Sequence, residues 1–273
     1  MPTTYAHYKF GKEVMSALPR PLQNSIENKR ALFDIGLHGP DILFYYKALF
    51  KNPVSGQGYA MHDQPADAFF NHAAEVLANA EDPAAARAYI YGFICHFALD
   101  SECHNYIEKM IQVSGISHAE IEMEFDRMLL TEDFINPVRY LAVKHIHPDL
   151  ENARVIAPFF RDLSPEVIKK ALSSMIFYHK LLLAPTPGKR RLLFAGMKLA
   201  KVYDSMHGMV MSLEPNPACS EYCRLLKRRF SGAVPLAASL ILQYQKKLFQ
   251  GGDLPERFHQ TFGAGEDWES LRL

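Results

Sequence analysis

The stretch CHFALDSECH, residues 95–104, places two histidines and an aspartate at four-residue intervals within an apolar run. Residues i and i+4 lie on one face of an α-helix, about 6 Å apart along its axis. His96 and Asp100 can therefore share a metal ion, and so can Asp100 and His104. His96 and His104 are about 12 Å apart along a straight helix, too far to share one ion. The spacing predicts more than one metal ion, with Asp100 between them.

A single histidine on an apolar helix face is ordinarily a core residue whose ring nitrogens are hydrogen-bonded within the protein. Two histidines and an aspartate on the same face favour metal binding instead, because unpaired buried charges cost several kcal/mol.

The segments on either side of this stretch have helical periodicity, and strand alternation is limited to a few residues. The predicted helices are 13–18, 22–33, 65–80, 83–113, 117–130, 165–183, 189–213 and 234–250. The glycine- and proline-containing segments 36–46 and 51–65 are predicted to be a turn and a loop. We therefore expect one all-α domain over residues 1–273, with metal motifs in 5–125 and a helical C-terminal part in 150–250.

The overall composition excludes little but disfavours a nucleic-acid partner, because 30 basic and 30 acidic residues cancel. No apolar segment reaches the roughly 18 residues that a membrane-spanning helix needs. The start, MPTTYAHYKFGKEV, has no signal-peptide core, so a cytoplasmic protein is expected. Its four cysteines are then expected to be free thiols.

Histidine is the unusual component, with 12 in the chain and half of them between His38 and His118. His118 and Glu122 repeat the one-turn spacing on the next predicted helix. Further candidate ligands are His7, Asp41 in the turn HGPD, and His62 in the glycine-rich loop. Nitrogen and carboxylate-oxygen ligands of this kind suit zinc.

The order of these motifs resembles the zinc-dependent phospholipase C family, which is related to the P1/S1-type nucleases. The motifs are TYAHYKFG, GLHGPDILFYY, YAMHDQP, ICHFALDSECH and SHAEIE. Each motif alone is weak, but five in the same order are a specific signal. The resemblance implies an all-helical fold with a cluster of two to three zinc ions in a cleft.

Carried over motif by motif, the resemblance assigns ligands to three ions. Asp41, His62, His96 and Asp100 would hold the first ion, His104, His118 and Glu122 the second, and His7 with Asp100 part of the third. Secreted members complete the third site with the amino terminus of an N-terminal tryptophan. This chain has no tryptophan near its start, so His38 or the Met1 or Pro2 amine is the candidate replacement.

The resemblance also implies a zinc-dependent phosphodiesterase, in which Asp41 orients or deprotonates the attacking water. Its substrate would be a phospholipid or a small phosphodiester, with transient contact to a membrane surface. Two other functions stay open: a P1-like single-strand nuclease or nucleotidase, and a helical metal-binding protein without catalytic activity.

Aromatic residues near the proposed site leave the substrate class open. Phe44, Tyr45, Tyr46 and Tyr59 would suit a choline-like head group or a stacked nucleobase, or they would simply pack helices together. His207, which lies between Asp204 and Glu214 in the sequence, is a further candidate for the lining of the cleft.

Overall fold

The structure is a computed structural model that describes residues 4–273, apart from the side chain of Ser205. Over this range the chain is all-α, as predicted, and no strand longer than an isolated bridge is present. The α-helices are α1 (Thr4–Ala17), α2 (Arg20–Glu27), α3 (Arg30–Gly36), α4 (Pro53–Asp63), α5 (Asp67–Ala78), α6 (Pro83–Ser114), α7 (His118–Glu132), α8 (Leu150–Ile156), α9 (Pro165–Leu182), α10 (Pro187–Leu199), α11 (Tyr203–Met206) and α12 (Ser220–Gln250). Seven short 3₁₀ helices lie in the described connections. In this part of the chain no helix is long and apolar enough to cross a bilayer.

Helix α6 is the centre of the fold and matches the predicted helix 83–113. The Asp82 side chain accepts hydrogen bonds from the first two free backbone amides, and Pro83 fits the first turn. Gly115 ends the helix with a left-handed φ of 69°. Most of α6 is buried, because α1, α3 and α12 pack around it.

Helices α3 and α6 cross in direct backbone contact. A Cβ atom at Gly36 would lie 2.1 Å from the carbonyl oxygen of Tyr89, and one at Gly92 would lie 2.1 Å from that of Phe33. Only glycine allows this approach, which brings the turn after α3 against the face of α6 that carries His96.

The prediction of a loop over 51–65 is wrong, since residues 53–63 form helix α4. Asn52 caps this helix by accepting a hydrogen bond from the Ser55 amide, and Pro53 begins it. Gly58, which the sequence suggested as a loop residue, packs closely against the Phe44 ring. Its missing side chain serves helix packing rather than a turn.

Other boundaries also differ from the prediction. The predicted helix 13–18 begins at Thr4 as α1, and 22–33 is divided between α2 and α3. The predicted helix 189–213 ends at Leu199, before Lys201 adopts a φ of 57°. Helix α12 begins at Ser220 and continues through Pro235, whereas the prediction began it at 234. Helix α8 was not predicted.

Candidate metal centre

Three groups of side chains bring potential ligand atoms within 4.8 Å of one another. They are His7, His96 and Asp100; Asp41, His62 and His96; and His104, His118 and Glu122. All eight residues predicted as metal ligands therefore lie in these groups. They come from α1, the 3₁₀ helix Gly39–Tyr45, α4, α6 and α7.

The Asp100 carboxylate lies between the groups and presents its two oxygens to different histidines. Oδ1 lies 3.2 Å from His7 Nε2, and Oδ2 lies 3.0 Å from His96 Nε2. In a tetrahedral zinc site with bonds of about 2.0–2.1 Å, neighbouring ligand atoms are about 3.3 Å apart. Both separations match that spacing. Asp100 Oδ2 is also 3.8 Å from His62 Nε2.

The closeness of His96 Nε2 and Asp100 Oδ2 is not explained by hydrogen bonding. His96 Nε2 and Asp100 Oδ2 are fully buried, yet neither makes a directed hydrogen bond anywhere in residues 4–273. Buried polar atoms in native proteins are nearly always paired. A cation between them would satisfy both atoms, so this donor set fits a metal ion.

The histidine tautomers are fixed by partners on the outer side of each ring. His62 Nδ1 is 2.8 Å from the Gly58 carbonyl oxygen, and His104 Nδ1 is 2.7 Å from that of Phe262. His96 Nδ1 is 3.2 Å from the Leu37 carbonyl oxygen. A carbonyl can only accept, so these Nδ1 atoms carry the protons and the Nε2 lone pairs face the centre. This arrangement is typical of metal-binding histidines.

The third group is assembled on α6 and α7 and is more open to solvent. Glu122 Oε1 lies 3.2 Å from His118 Nε2 and 3.6 Å from His104 Nε2. His118 Nδ1 faces a Glu108 carboxylate oxygen at 3.4 Å. Glu122 is almost completely buried, whereas about a third of the His118 side chain is exposed.

Electrostatics keep the carboxylates ionised. Burial raises the pKa of Asp100, but the surrounding imidazoles of His96, His104 and His7 outweigh it and hold that pKa well below its usual value. For His118, burial lowers the pKa, but the nearby Glu122 and Glu108 carboxylates outweigh burial and raise that pKa to about 10. Binding of a metal ion would therefore displace a proton from His118.

Asp41 is positioned by a turn that requires glycine at residue 39. Gly39 begins the 3₁₀ helix with a φ of 46°, and a Cβ atom there would lie 2.3 Å from the His96 ring. This contact places the Asp41 carboxylate beside α6. Its Oδ1 atom lies 3.1 Å from His62 Nε2, at the C-terminal end of α4. Asp41 and His62 thus approach the His96 group from one side.

His7 is held by a residue that sequence reasoning missed. The buried Asp126 carboxylate accepts hydrogen bonds from the Tyr5 and Ala6 amides at 3.0 and 2.8 Å, in the first turn of α1. Asp126 lies one turn after Glu122 on α7. Its only signal in the sequence is this continuation of the H-x₃-E spacing by a further acidic residue.

His38, the proposed extra ligand, lies outside all three groups. Its Nε2 atom is 2.7 Å from His145 Nε2, and the two rings stack. Burial lowers the pKa of both histidines, in the case of His145 to about 3. The Met1 and Pro2 amine, the other proposed replacement, lies outside the described residues.

An apolar cleft of about 440 Å³ lies near the centre; none of the eight predicted ligands lines it, but the Phe44 ring in its wall lies 5.4 Å from the His62 ring. Asp126 lines it one turn beyond Glu122, and Tyr45 lines it four residues after Asp41. Other parts of its wall are apolar or sulfur-containing, including Phe44, Tyr59, Met123, Leu141, Tyr178, Leu182, Leu183, Met206, Met209 and Met211. Two of the segments that carry predicted metal ligands, the 3₁₀ helix Gly39–Tyr45 and α7, therefore also contribute to the wall of the cleft.

The predicted lining residues are divided by the structure. Tyr45 and Tyr59 line the cleft, but Tyr46 and His207 do not. Tyr46 lies under the side chain of Lys170, and His207 stacks on Tyr203, four residues earlier in the chain.

His179 on α9 lines the cleft and was missed by sequence reasoning. Its Nε2 atom lies 3.0 Å from the Tyr45 hydroxyl and 3.3 Å from Thr4 Oγ1. No acidic residue lies one turn away from it in the sequence, so no local pattern marks it.

Comparison with known proteins gives one match. A family model described as zinc dependent phospholipase C matches residues 6–174, well over half of the chain. No curated protein and no solved structure matches. The matched range contains all three ligand groups and ends within α9, so α10, α11 and α12 lie beyond it.

Proposed function

The chain belongs to the zinc-dependent phospholipase C family, and we propose that it is a zinc-dependent phosphodiesterase that acts on a phospholipid. The family supports a hydrolase of phosphoester bonds. The particular bond is what the family implies, whereas the ligands of each ion and the number of ions are our inferences, supported by the geometry of the three groups.

The observation that carries the proposal is the division of the Asp100 oxygens between two histidines. Imidazole binds one ion through one nitrogen, whereas a carboxylate can bridge two. We therefore assign His96 to an ion shared with Asp41, His62 and Asp100 Oδ2. His7 and Asp100 Oδ1 face a second position.

The remaining group, His104, His118 and Glu122, would hold another ion. Two ions are the minimum that these separate groups imply, and His7 with Asp100 supplies part of a third. Zinc suits this set of neutral imidazoles and carboxylates.

Bound zinc lowers the pKa of coordinated water and neutralises charge on the phosphoryl oxygens. The protein residues supply the rest of the reaction. The pKa of Asp41 is lowered in spite of burial, and the hydrogen bond and charge of His62 and the charge of His96 contribute to this shift, so its carboxylate is ionised at neutral pH. Its carboxylate orients the attacking water and accepts a proton from it. Hydrolysis of a phosphodiester by one water then yields a phosphomonoester and an alcohol.

The cleft favours a substrate with an apolar part. Phosphate at the metal groups would leave the remainder of the molecule beside Tyr45 and Asp126, where methionine, leucine and aromatic side chains form the walls. Burial of acyl chains there would favour binding by roughly 25 cal/mol per Å² of apolar surface removed from water. A phospholipid meets both requirements.

The test begins with zinc counting by mass spectrometry on protein purified without chelator. We expect at least two zinc ions per chain, and fewer than two would refute the enzyme proposal. Activity is then compared on phosphatidylcholine in mixed micelles, on p-nitrophenylphosphorylcholine and on single-stranded DNA. Preferential cleavage of DNA would instead support the nuclease function.

Two variants locate the chemistry. Asp41→Asn should lower the rate on every phosphodiester by about 100-fold or more, the usual contribution of a positioned base. Asp63→Asn is the matched control, since Asp63 is exposed and follows His62 directly.

Leu182→Trp should obstruct the cleft and reduce cleavage of phosphatidylcholine while sparing p-nitrophenylphosphorylcholine. Equal loss on both substrates would contradict the role of the cleft.

A further inference from the structure

Helix α10 presents an apolar stripe to solvent. Leu192, Ala195, Gly196 and Leu199 are spaced i, i+3, i+4 and i+7, which places them on one face, and all four are exposed. Leu192 is 77% exposed and Leu199 is 88% exposed. Single exposed leucines are common, whereas contiguous exposed apolar surface is associated with binding sites.

The opposite face of α10 explains how the helix is held. Met197 is buried against Ala184 and Val210, and Leu193 and Phe194 pack beside them. These contacts form a small apolar cluster apart from the main core. The stripe therefore faces away from the protein and is not required for the packing of α10.

The charge around the stripe is strongly one-sided. Residues 167–203 contain eight basic and no acidic residues, although the whole chain has 30 of each. Arg191 and Lys198 are exposed next to the stripe on α10, and Lys201 follows the helix. Lys189 instead donates hydrogen bonds to carbonyl oxygens at the end of α9, and so anchors α10.

The chain segments just before and just after α10 both line the apolar cleft. Leu182 and Leu183 line the cleft just before α10, and Val202 and Met206 line it just after. On another side of the cleft, Leu49 and Tyr59 are more than 60% exposed. A surface that contacted α10 would thus lie beside the cleft.

We propose that the outer face of α10 docks on the surface of an anionic phospholipid bilayer. The leucines would enter the boundary between head groups and acyl chains, while Arg191 and Lys198 contact anionic head groups. The basic flanks favour this partner over a second copy of the chain, which would meet like charge. Docking would bring the protein to its substrate, and only this purpose rests on the proposed function. Binding to vesicles can be measured without any hydrolysis.

The first test is co-sedimentation of the zinc-loaded protein with vesicles of phosphatidylcholine, with and without phosphatidylserine. The unmodified protein should bind the anionic vesicles more strongly, and added salt should weaken binding by screening. The double variant Leu192→Ser/Leu199→Ser should bind at least about tenfold more weakly, given the free energy of burying two leucines. Val113→Ser/Leu242→Ser is the matched control, since both residues are exposed on other helices.

The second test changes charge alone. Arg191→Gln/Lys198→Gln should weaken binding to anionic vesicles by about 25-fold, since each basic residue near such a surface contributes a factor of about five. The control pair is Arg228→Gln/Lys246→Gln, exposed basic residues of α12. Equal losses in the variant and control pairs would overturn the assignment to α10.

The outcomes also separate docking from catalysis. Hydrolysis of p-nitrophenylphosphorylcholine should be unchanged in both α10 variants. Vesicle binding without any hydrolysis would refute the proposed function but support docking. Hydrolysis of lipid, together with unaltered vesicle binding in the α10 variants, would support the proposed function but refute docking through α10. A dimer in sedimentation velocity that the leucine variant dissociates would identify a second copy as the partner and overturn the proposal.

Discussion

Replacing Asp100 by asparagine is the most informative change to the centre. The carboxylate lies between His7 and His96 at 3.2 and 3.0 Å, and 3.7 Å from His104 Nδ1. Asparagine keeps the size of the side chain and one oxygen but removes the negative charge and one of the two ligand oxygens. If Asp100 bridges two positions, both should lose affinity together.

The size of the effect follows from the place of Asp100 among the ligands. Loss of a group that merely orients a metal ligand costs 10–100-fold in affinity. A shared direct ligand should cost at least about 100-fold for each ion, or about 3 kcal/mol per ion. The group of His104, His118 and Glu122 keeps all three side chains, so its ion should be the one retained.

The assay is competition of the purified variant with a chromogenic chelator, together with zinc counting and phosphodiesterase activity. Glu102→Gln is the control on the same helix, because Glu102 pairs with Arg257 at 2.6 Å and belongs to none of the three groups. An Asp100→Asn protein with the zinc content, chelator competition and activity of the unmodified protein would refute the bridging role. Circular dichroism establishes that both variants are folded.

Three further predictions concern the packing and the histidines. Gly36→Ala should destabilise the fold by more than about 2 kcal/mol in urea unfolding, because its Cβ would meet a backbone carbonyl oxygen of α6 at 2.1 Å; the open position Gly56 should accept alanine without loss. Gly39→Ala should weaken zinc binding by displacing the His96 ring, and a variant with unaltered zinc affinity would show that this contact is not needed. Burial lowers the pKa of His179 to about 4, so its stabilising effect is present above about pH 6.5 and is lost as the pH falls toward 4. Zinc-free His179→Gln should therefore lose about 2 kcal/mol less stability than the unmodified protein between about pH 7.5 and 5, measured by urea unfolding.

The sequence predicted best those features that depend on local spacing. The one-turn intervals of His96, Asp100 and His104 fix their shared face once a helix forms, and the same holds for His118 and Glu122. The ends of α6 were also visible, because proline and glycine have specific conformational roles at helix ends. Both features follow from local residue spacing and helix geometry alone.

Features that depend on distant packing were not predictable in this way. The approach of His62 to Asp41 requires α4, which was predicted to be a loop. In the sequence Gly58 has the character of a turn residue, whereas in the structure it packs against the Phe44 ring. The Phe262 carbonyl that faces His104 lies 158 residues away in the chain. No periodicity or spacing connects such residues, and only the resemblance to a family placed Asp41 and His62 near α6.

The division between matched and unmatched parts of the chain suggests how reaction and substrate are separated. All ligand groups lie within residues 6–174, the range shared with the family. The wall of the cleft beyond that range, from Tyr178 to Met211, and the outer face of α10 belong to the remainder. On the proposed function, the metal groups would hold only the phosphodiester itself, so selection among substrates would come from the residues that surround them. The apolar cleft and the basic helix would admit a lipid from an anionic surface more readily than a polyanion, which would gain little from the methionine and leucine walls.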